Sequence, residues 1–210
     1  MRTRIKICGI TRVEDARAAA QAGADAIGLV FYRPSPRFLS LEWARELRNE
    51  LPPFVMPVAL FVNPTAAEVY TVIERVRPAM LQFHGDETPV FCSQFGVPHI
   101  KACRVRSGVS PRVDLLEYLR PFSGAAGWLL DSHVVEYGGV GESFDWSLVP
   151  AERNRPLVLS GGLTRDNVGL AIRRVRPWAV DVSSGVESSK GIKDAAMMAA
   201  FIAEVGNADV

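Results

Sequence analysis

Short apolar runs alternate with amphipathic helical patterns from one end of this chain to the other, and that rhythm leaves few folds open. The runs fall at residues 4–8, 26–30, 57–62, 80–83, 100–104, 128–131, 156–160 and 179–183. Most are near-continuous rather than strictly alternating, as strands covered on both faces should be. Between them, Leu41, Ala44, Leu47 and Leu51 recur at helical spacing. So do Val69, Val72, Ile73 and Val76, and then Val168, Ala171, Ile172 and Val175. Each set forms one apolar stripe that can dock on a sheet. Thr11 with Glu14 and Thr65 with Glu68 read as capping boxes, in which a hydroxyl and a carboxylate satisfy free backbone N–H groups. Thr164 precedes the helix of Val168, and Pro89 suits a first helical position after Thr88.

Eight strand–helix units follow from this reading. The fifth helix (113–119) is short, and the sixth unit has a long Gly-rich loop before a weak helical stretch near 144–148. Repeated units with short connections imply a parallel sheet with right-handed crossovers. Eight of them predict a single (β/α)8 TIM barrel over residues 1–210, at the short end of that fold's size range. The competitor is an open doubly wound sheet, but no GxGxxG follows a strand. With 48% apolar and 22% charged residues, the chain reads as one packed domain. Lys plus Arg is 24 and Asp plus Glu is 23, which argues against nucleic acid or a membrane surface as partner. No run reaches the length of a spanning helix, and the N-terminus lacks the apolar core of a signal peptide. Cys8, Cys92 and Cys103 form neither a disulfide framework nor a CxxC pair, so a reducing cytoplasmic compartment is expected. No helix carries an obvious exposed apolar stripe, so a monomer is expected.

In such a barrel the active site lies at the carboxyl ends of the strands. The polar residues there are Cys8, Arg33, Arg37, Asn63, His84, Arg104, Asp131, Ser160, Asp181, Ser183 and Ser184. Ser160-Gly161-Gly162-Leu163 closes strand seven, and Ser183-Ser184-Gly185 follows strand eight. Loops after strands seven and eight often bind phosphate, because glycine lets backbone N–H groups approach an anion and a helix N-terminus adds free donors. Two ordinary strand–helix turns are the plain alternative. Cys8 and Cys103 have equal claims by position to be a proton acceptor or nucleophile, against the ordinary role of a buried strand cysteine. Asp131 follows three apolar residues, and desolvation there favours an acid role. Asp181, between Val180 and Val182, reads either as a site carboxylate or as a hydrogen-bonding residue inside the barrel. The Arg37 fork suits a carboxylate or phosphate, and the alternative is a solvated loop arginine. His84 reads as a structural or substrate-contacting histidine rather than a metal ligand, since neither His99 nor His133 is convincingly spaced to join it.

These segments resemble, in order and over nearly the whole chain, the phosphoribosylanthranilate isomerase family. The resemblance begins at Lys6-Ile7-Cys8-Gly9-Ile10-Thr11 and continues through Gly23-Ala24-Asp25-Ala26-Ile27-Gly28 and Phe31-Tyr32 with Ser35-Pro36-Arg37. It runs on through Leu60-Phe61-Val62-Asn63, Gln82-Phe83-His84-Gly85, Leu130-Asp131, Gly138-Gly139 with Gly141, and Phe144-Asp145-Trp146. It ends with Leu159-Ser160-Gly161-Gly162-Leu163 and Asp181-Val182-Ser183-Ser184-Gly185-Val186-Glu187. Phe83 stands where the family usually has Leu. The resemblance implies a cofactor-free, metal-free Amadori rearrangement of a small phosphorylated substrate in tryptophan biosynthesis. By the same resemblance Cys8 is the general base and Asp131 the general acid. Arg37 holds the anthranilate carboxylate, while His84 and Asp181 are expected at the substrate from their strand-end positions. Gly161, Gly162, Ser183, Ser184 and Gly185 hold phosphate.

That mechanism needs Asp131 protonated and Cys8 deprotonated, the reverse of their unperturbed order near pKa 3.9 and 8.5. Arg37 and a nearby backbone amide are the candidates for lowering Cys8. The 132–143 connection, with its three glycines, is the candidate lid. Other readings stay open: a metal-dependent epimerase, an indole-glycerol-phosphate synthase using Lys6 or Lys101, or a catalytically silent phosphate-binding barrel.

Overall fold

The computed structural model describes residues 2–105, 112–132, 145–149 and 153–209. Its eight parallel strands close into a barrel, in chain order: β1 (Arg4–Cys8), β2 (Ala26–Val30), β3 (Met56–Phe61), β4 (Met80–Phe83), β5 (His99–Val105), β6 (Gly127–Ser132), β7 (Leu157–Leu159) and β8 (Ala179–Val182). Closure comes from β1 pairing with β8, Lys6 opposite Asp181 and Ile7 opposite Val182. Around the barrel lie α1 (Val13–Ala22), α2 (Leu41–Asn49), α3 (Ala66–Val76), α4 (Pro89–Ser93), α5 (Arg112–Leu119), α6 (Arg165–Val175) and α7 (Ala195–Ala208). A short antiparallel pair, β9 (Glu187–Ser189) and β10 (Ile192–Lys193), follows β8. No helix among the described residues is long and apolar enough to cross a membrane.

Strand alternation divides the core. Outward residues such as Ile5, Ile7, Leu81, Phe83, Leu130 and Val180 pack against the helices in one large cluster. Inward residues form a separate plug of Ile100, Ala102, Leu129, Val158 and Ala179. Cys8, Val30 and Leu60 form a third cluster, further along the same strands. The helical stripes dock as their spacing predicts: Val69, Val72 and Val76 on α3, and Val168, Ala171, Ile172 and Val175 on α6, are buried.

The starts of the helices bear out most of the expected caps. Thr65 accepts from the Glu68 N–H while the Glu68 carboxylate accepts from the Thr65 N–H. Thr88 caps α4 with Pro89 in its first turn. The box at Thr11 and Glu14 does not form. Arg12 occupies the cap position with no side-chain hydrogen bond, and the Thr11 hydroxyl donates instead to the Gly191 carbonyl. Tertiary contact with the segment after β8 outcompetes the local cap. The fifth helix forms as α5, whereas among its described residues the sixth unit has a 3-10 turn, Trp146–Leu148. Phe144 and the candidate lid after Ser132, with His133, Gly138, Gly139 and Gly141, lie outside the described residues.

Candidate active site

At the carboxyl end of β1, Cys8 points into the barrel, and Lys6 lies two residues below it on the same face. The Lys6 ammonium donates to Asp181 Oδ1 at 2.9 Å, with both side chains buried. Asp181 therefore points inward, paired to a cation. Burial opposes the charge on Lys6, but Asp181 and Cys8 outweigh it and hold the amine above its ordinary range. Burial pushes the Cys8 thiol up, while Lys6 beside it and Lys193 pull it down. Cys103 is separated from Cys8 by strand parity. It faces the helix layer with Val105, Leu115 and Phe122, and burial raises its thiol to about 11. Position alone gave the two cysteines equal claims, and only Cys8 opens onto the barrel mouth.

Across the mouth, His84 Nε2 lies 3.0 Å from Asp131 Oδ2. The Gln82 amide lies 2.9 Å from His84 Nδ1. With that amide nitrogen donating, the imidazole carries its proton on Nε2 and donates it to Asp131. Gln82 Oε1 is left buried without a partner. Asp131 Oδ1 faces the loop after β7, 2.9 Å from where a side chain on Gly161 would begin. Trp128 and Leu130, two of the three apolar residues that precede Asp131, project outward into the helix layer and do not desolvate it, and the aspartate side chain is 25% exposed.

The two glycine loops abut. Gly161 and Gly162 both have positive φ, 86° and 62°, which glycine adopts without strain. A Cβ on Gly161 would strike the Ser132 nitrogen at 2.3 Å, and one on Gly185 would strike the Leu163 carbonyl at 2.0 Å. Only backbone fits between these loops. The N–H groups of Gly161 and Gly162 have no acceptor among the described residues. Ser183 is partly spent on structure: its hydroxyl donates to the Cys8 carbonyl at 3.1 Å, and its own carbonyl accepts from Lys193.

Arg37 is not a solvated loop residue. It is buried, and its Nε and Nη2 both donate to Glu187 at 2.7 Å. Burial works against its charge, but Glu187 outweighs burial and keeps the guanidinium protonated. Lys193 donates to the same carboxylate at 2.7 Å. Glu187 and Lys193 thereby join the Arg37 loop to the Ser183 loop. The sequence reading quoted Glu187 without a role and missed Lys193, because their partners lie about 150 residues away or across an irregular turn.

The remaining strand-end candidates serve the frame. Arg33 lies over the Phe38 ring, Asn63 accepts from the Asp86 N–H, and Arg104 reaches Asp86 at 3.7 Å. Lys101 points away from the mouth and forms a fully buried pair with Glu87 at 2.7 Å, which weakens the lysine-dependent synthase reading. No three His, Cys, Asp or Glu side chains converge as a metal site among the described residues.

The family model for N-(5'-phosphoribosyl)anthranilate (PRA) isomerase matches residues 5–204. An N-(5'-phosphoribosyl)anthranilate isomerase of Dechloromonas aromatica is 56% identical over 209 residues, covering 100% of this chain and 99% of that protein. The crystal structure of phosphoribosyl anthranilate isomerase from Thermotoga maritima superposes with a TM-score of 0.88 at 44% identity, over 98% of this chain and 99% of that one. A phosphoribosyl anthranilate isomerase solved with reduced 1-(O-carboxyphenylamino)-1-deoxyribulose 5-phosphate gives 0.85 at 42%, with the same coverage. Matched from β1 to α7 in sequence and in barrel architecture, the chain belongs to the phosphoribosylanthranilate isomerase family of enzymes.

Proposed function

We propose that this chain converts N-(5-phosphoribosyl)anthranilate to 1-(2-carboxyphenylamino)-1-deoxyribulose 5-phosphate, with Asp131 as general acid and Cys8 as general base. Asp131 Oδ1 protonates the furanose ring oxygen, and the C1–O bond breaks to give an open-chain iminium. Cys8, as thiolate, removes the proton on C2. That electron pair becomes the C1=C2 bond, and the C1=N pair moves onto nitrogen. The enaminol then gains a proton at C1 and loses its C2 hydroxyl proton, leaving the ketone. No electrons are lost or gained.

One observation carries the reading most: Asp131 Oδ1 lies against Gly161, in a loop whose N–H groups, without an acceptor among the described residues, suit a phosphate. Ser184 and Gly185 extend that cradle from the abutting loop, while Ser183 contributes backbone. Arg37, with Nε and Nη2 held by Glu187, keeps Nη1 for the anthranilate carboxylate. Holding both ends of the substrate makes the two proton transfers effectively intramolecular. His84 steadies the acid, and Asp181 reaches the substrate only through Lys6 and Cys8. A cytoplasmic location fits the three unpaired cysteines.

The test is to generate phosphoribosylanthranilate in situ and follow its fluorescence. The protein should accelerate its disappearance with and without a chelator. Decay at the spontaneous rate overturns the reading.

A further inference from the structure

Under the proposed chemistry Cys8 must act as a thiolate inside a buried cluster with Val30 and Leu60. Burial alone makes that costly. We infer that Lys6, anchored by Asp181, is the positioning residue that keeps negative charge available on Cys8, and that Gly28 is glycine so that the two can meet. This inference rests on Cys8 being the base.

The geometry is specific. Lys6 and Cys8 are i and i+2 on one strand, so both face inward. Gly28 sits directly across from Cys8 in the β1–β2 register. A Cβ there would lie 2.7 Å from Cys8 Sγ and 3.2 Å from Lys6 Nζ. The thiol and the ammonium therefore both reach the slot that the missing side chain leaves open, close enough for the charge of one to act on the other. Asp181 fixes the ammonium from β8 at 2.9 Å. A buried ion pair is seldom more stabilising than apolar packing of the same volume, so stability is a weak reason to keep this one.

The other charged groups facing the thiol are Lys193 on β10, Asp181 on β8 and Arg37 after β2. Arg37 and Lys193 are both bonded to Glu187, which cancels part of their field. Asp181 opposes the thiolate. Lys6 is thus the adjacent cation, and one of its three N–H groups can donate to sulfur while another donates to Asp181. When Cys8 takes the C2 proton, the new thiol stays beside a lysine that remains charged throughout. Lys6 acts by field and hydrogen bond and transfers no proton itself.

The experiment measures two pH profiles on the full chain. One is the rate of Cys8 alkylation by iodoacetamide, read by mass spectrometry at that residue. The other is kcat/KM. Lys6→Met should move the rise of both profiles upward by about one pH unit or more. At neutral pH kcat should then fall about tenfold, with KM changed far less. Lys6→Arg should recover part of the shift. Because Lys6→Met strands a buried carboxylate, the double variant Lys6→Met/Asp181→Asn is measured beside it. Gly28→Ala keeps both charges and should shift the profiles in the same direction by crowding the pair apart. Folded variants whose alkylation profile is unmoved overturn the inference, reducing Lys6 to an ion-pair partner of Asp181. Near-normal turnover in Cys8→Ser overturns the base assignment beneath it. The alkylation profile tells the two failures apart, because it reads the Lys6–Cys8 coupling without turnover.

Discussion

His84 and Asp131 meet through Nε2 and Oδ2 at 3.0 Å although 47 residues separate them in the chain. This contact ties Oδ2 to the scaffold and leaves Oδ1 for the proposed proton transfer. Asp131→Asn should lower kcat at least about a hundredfold, the lower end of what a positioned proton transfer contributes. His84→Ala removes only the orienting partner, so its cost should be smaller, about tenfold, and mainly in kcat. Steady-state fluorescence kinetics on both variants check the ranking. Equal losses would place His84 in the proton transfer itself.

Cys8→Ser should cost about a hundredfold or more in turnover, because a serine hydroxyl is a far weaker acid than a thiol. Cys103→Ser should leave turnover nearly unchanged, because that side chain faces the helices. Comparing kcat for the two variants under identical conditions decides between two positions that sequence alone could not rank.

Arg37→Ala should raise KM well above its effect on kcat, since the proposed contact is with the substrate's carboxylate. An unchanged KM counts against that contact. Glu187→Gln should give a milder rise, because it loosens the hold on Nε and Nη2 while leaving the guanidinium in place.

The buried pair Lys101–Glu87 makes a prediction about stability. Lys101→Met leaves Glu87 charged in the interior and should cost about 3–5 kcal/mol. Chemical denaturation measures this. A double variant with Glu87→Gln should recover part of the loss.

His99 offers a test in pH. Its ring is buried against the edge of Phe83, and burial holds its pKa below the ordinary 6.5. The unfolded chain therefore binds this proton before the folded one does. Stability attributable to His99 is fully present above about pH 6.5 and is lost as pH falls towards the depressed folded value. Thermal melts of His99→Gln should show a shallower decline over that acid range than the unsubstituted protein.

The barrel was legible because it is written in periodicity. The inward and outward residues of Ile5-Lys6-Ile7-Cys8 alternate as a strand must, and the stripe of α6 docks residue for residue. Site residues at strand ends were legible through topology, since every strand of such a barrel delivers its last residues to one rim. Contacts that depend on irregular segments were not. Thr11 looked like a cap because its local partner was present, yet it bonds Gly191 on the far side of closure. Glu187 and Lys193 carried no signal until the turn between β9 and β10 folded them back onto Arg37 and Ser183. Lys6 could not be ranked above Lys101 as a strand lysine until its parity with Cys8 met a glycine on the neighbouring strand.

The Arg37–Glu187–Lys193 link also has a consequence for how the enzyme is made. Arg37 is synthesised 150 residues before the carboxylate that orients it, and the lysine that steadies that carboxylate comes later still. Lys6 likewise waits for Asp181. Under the proposed function, a nascent chain that stops before Glu187 would carry Cys8 and Asp131 yet leave Arg37 unanchored, so catalytic groups made early wait for a clamp made after β8.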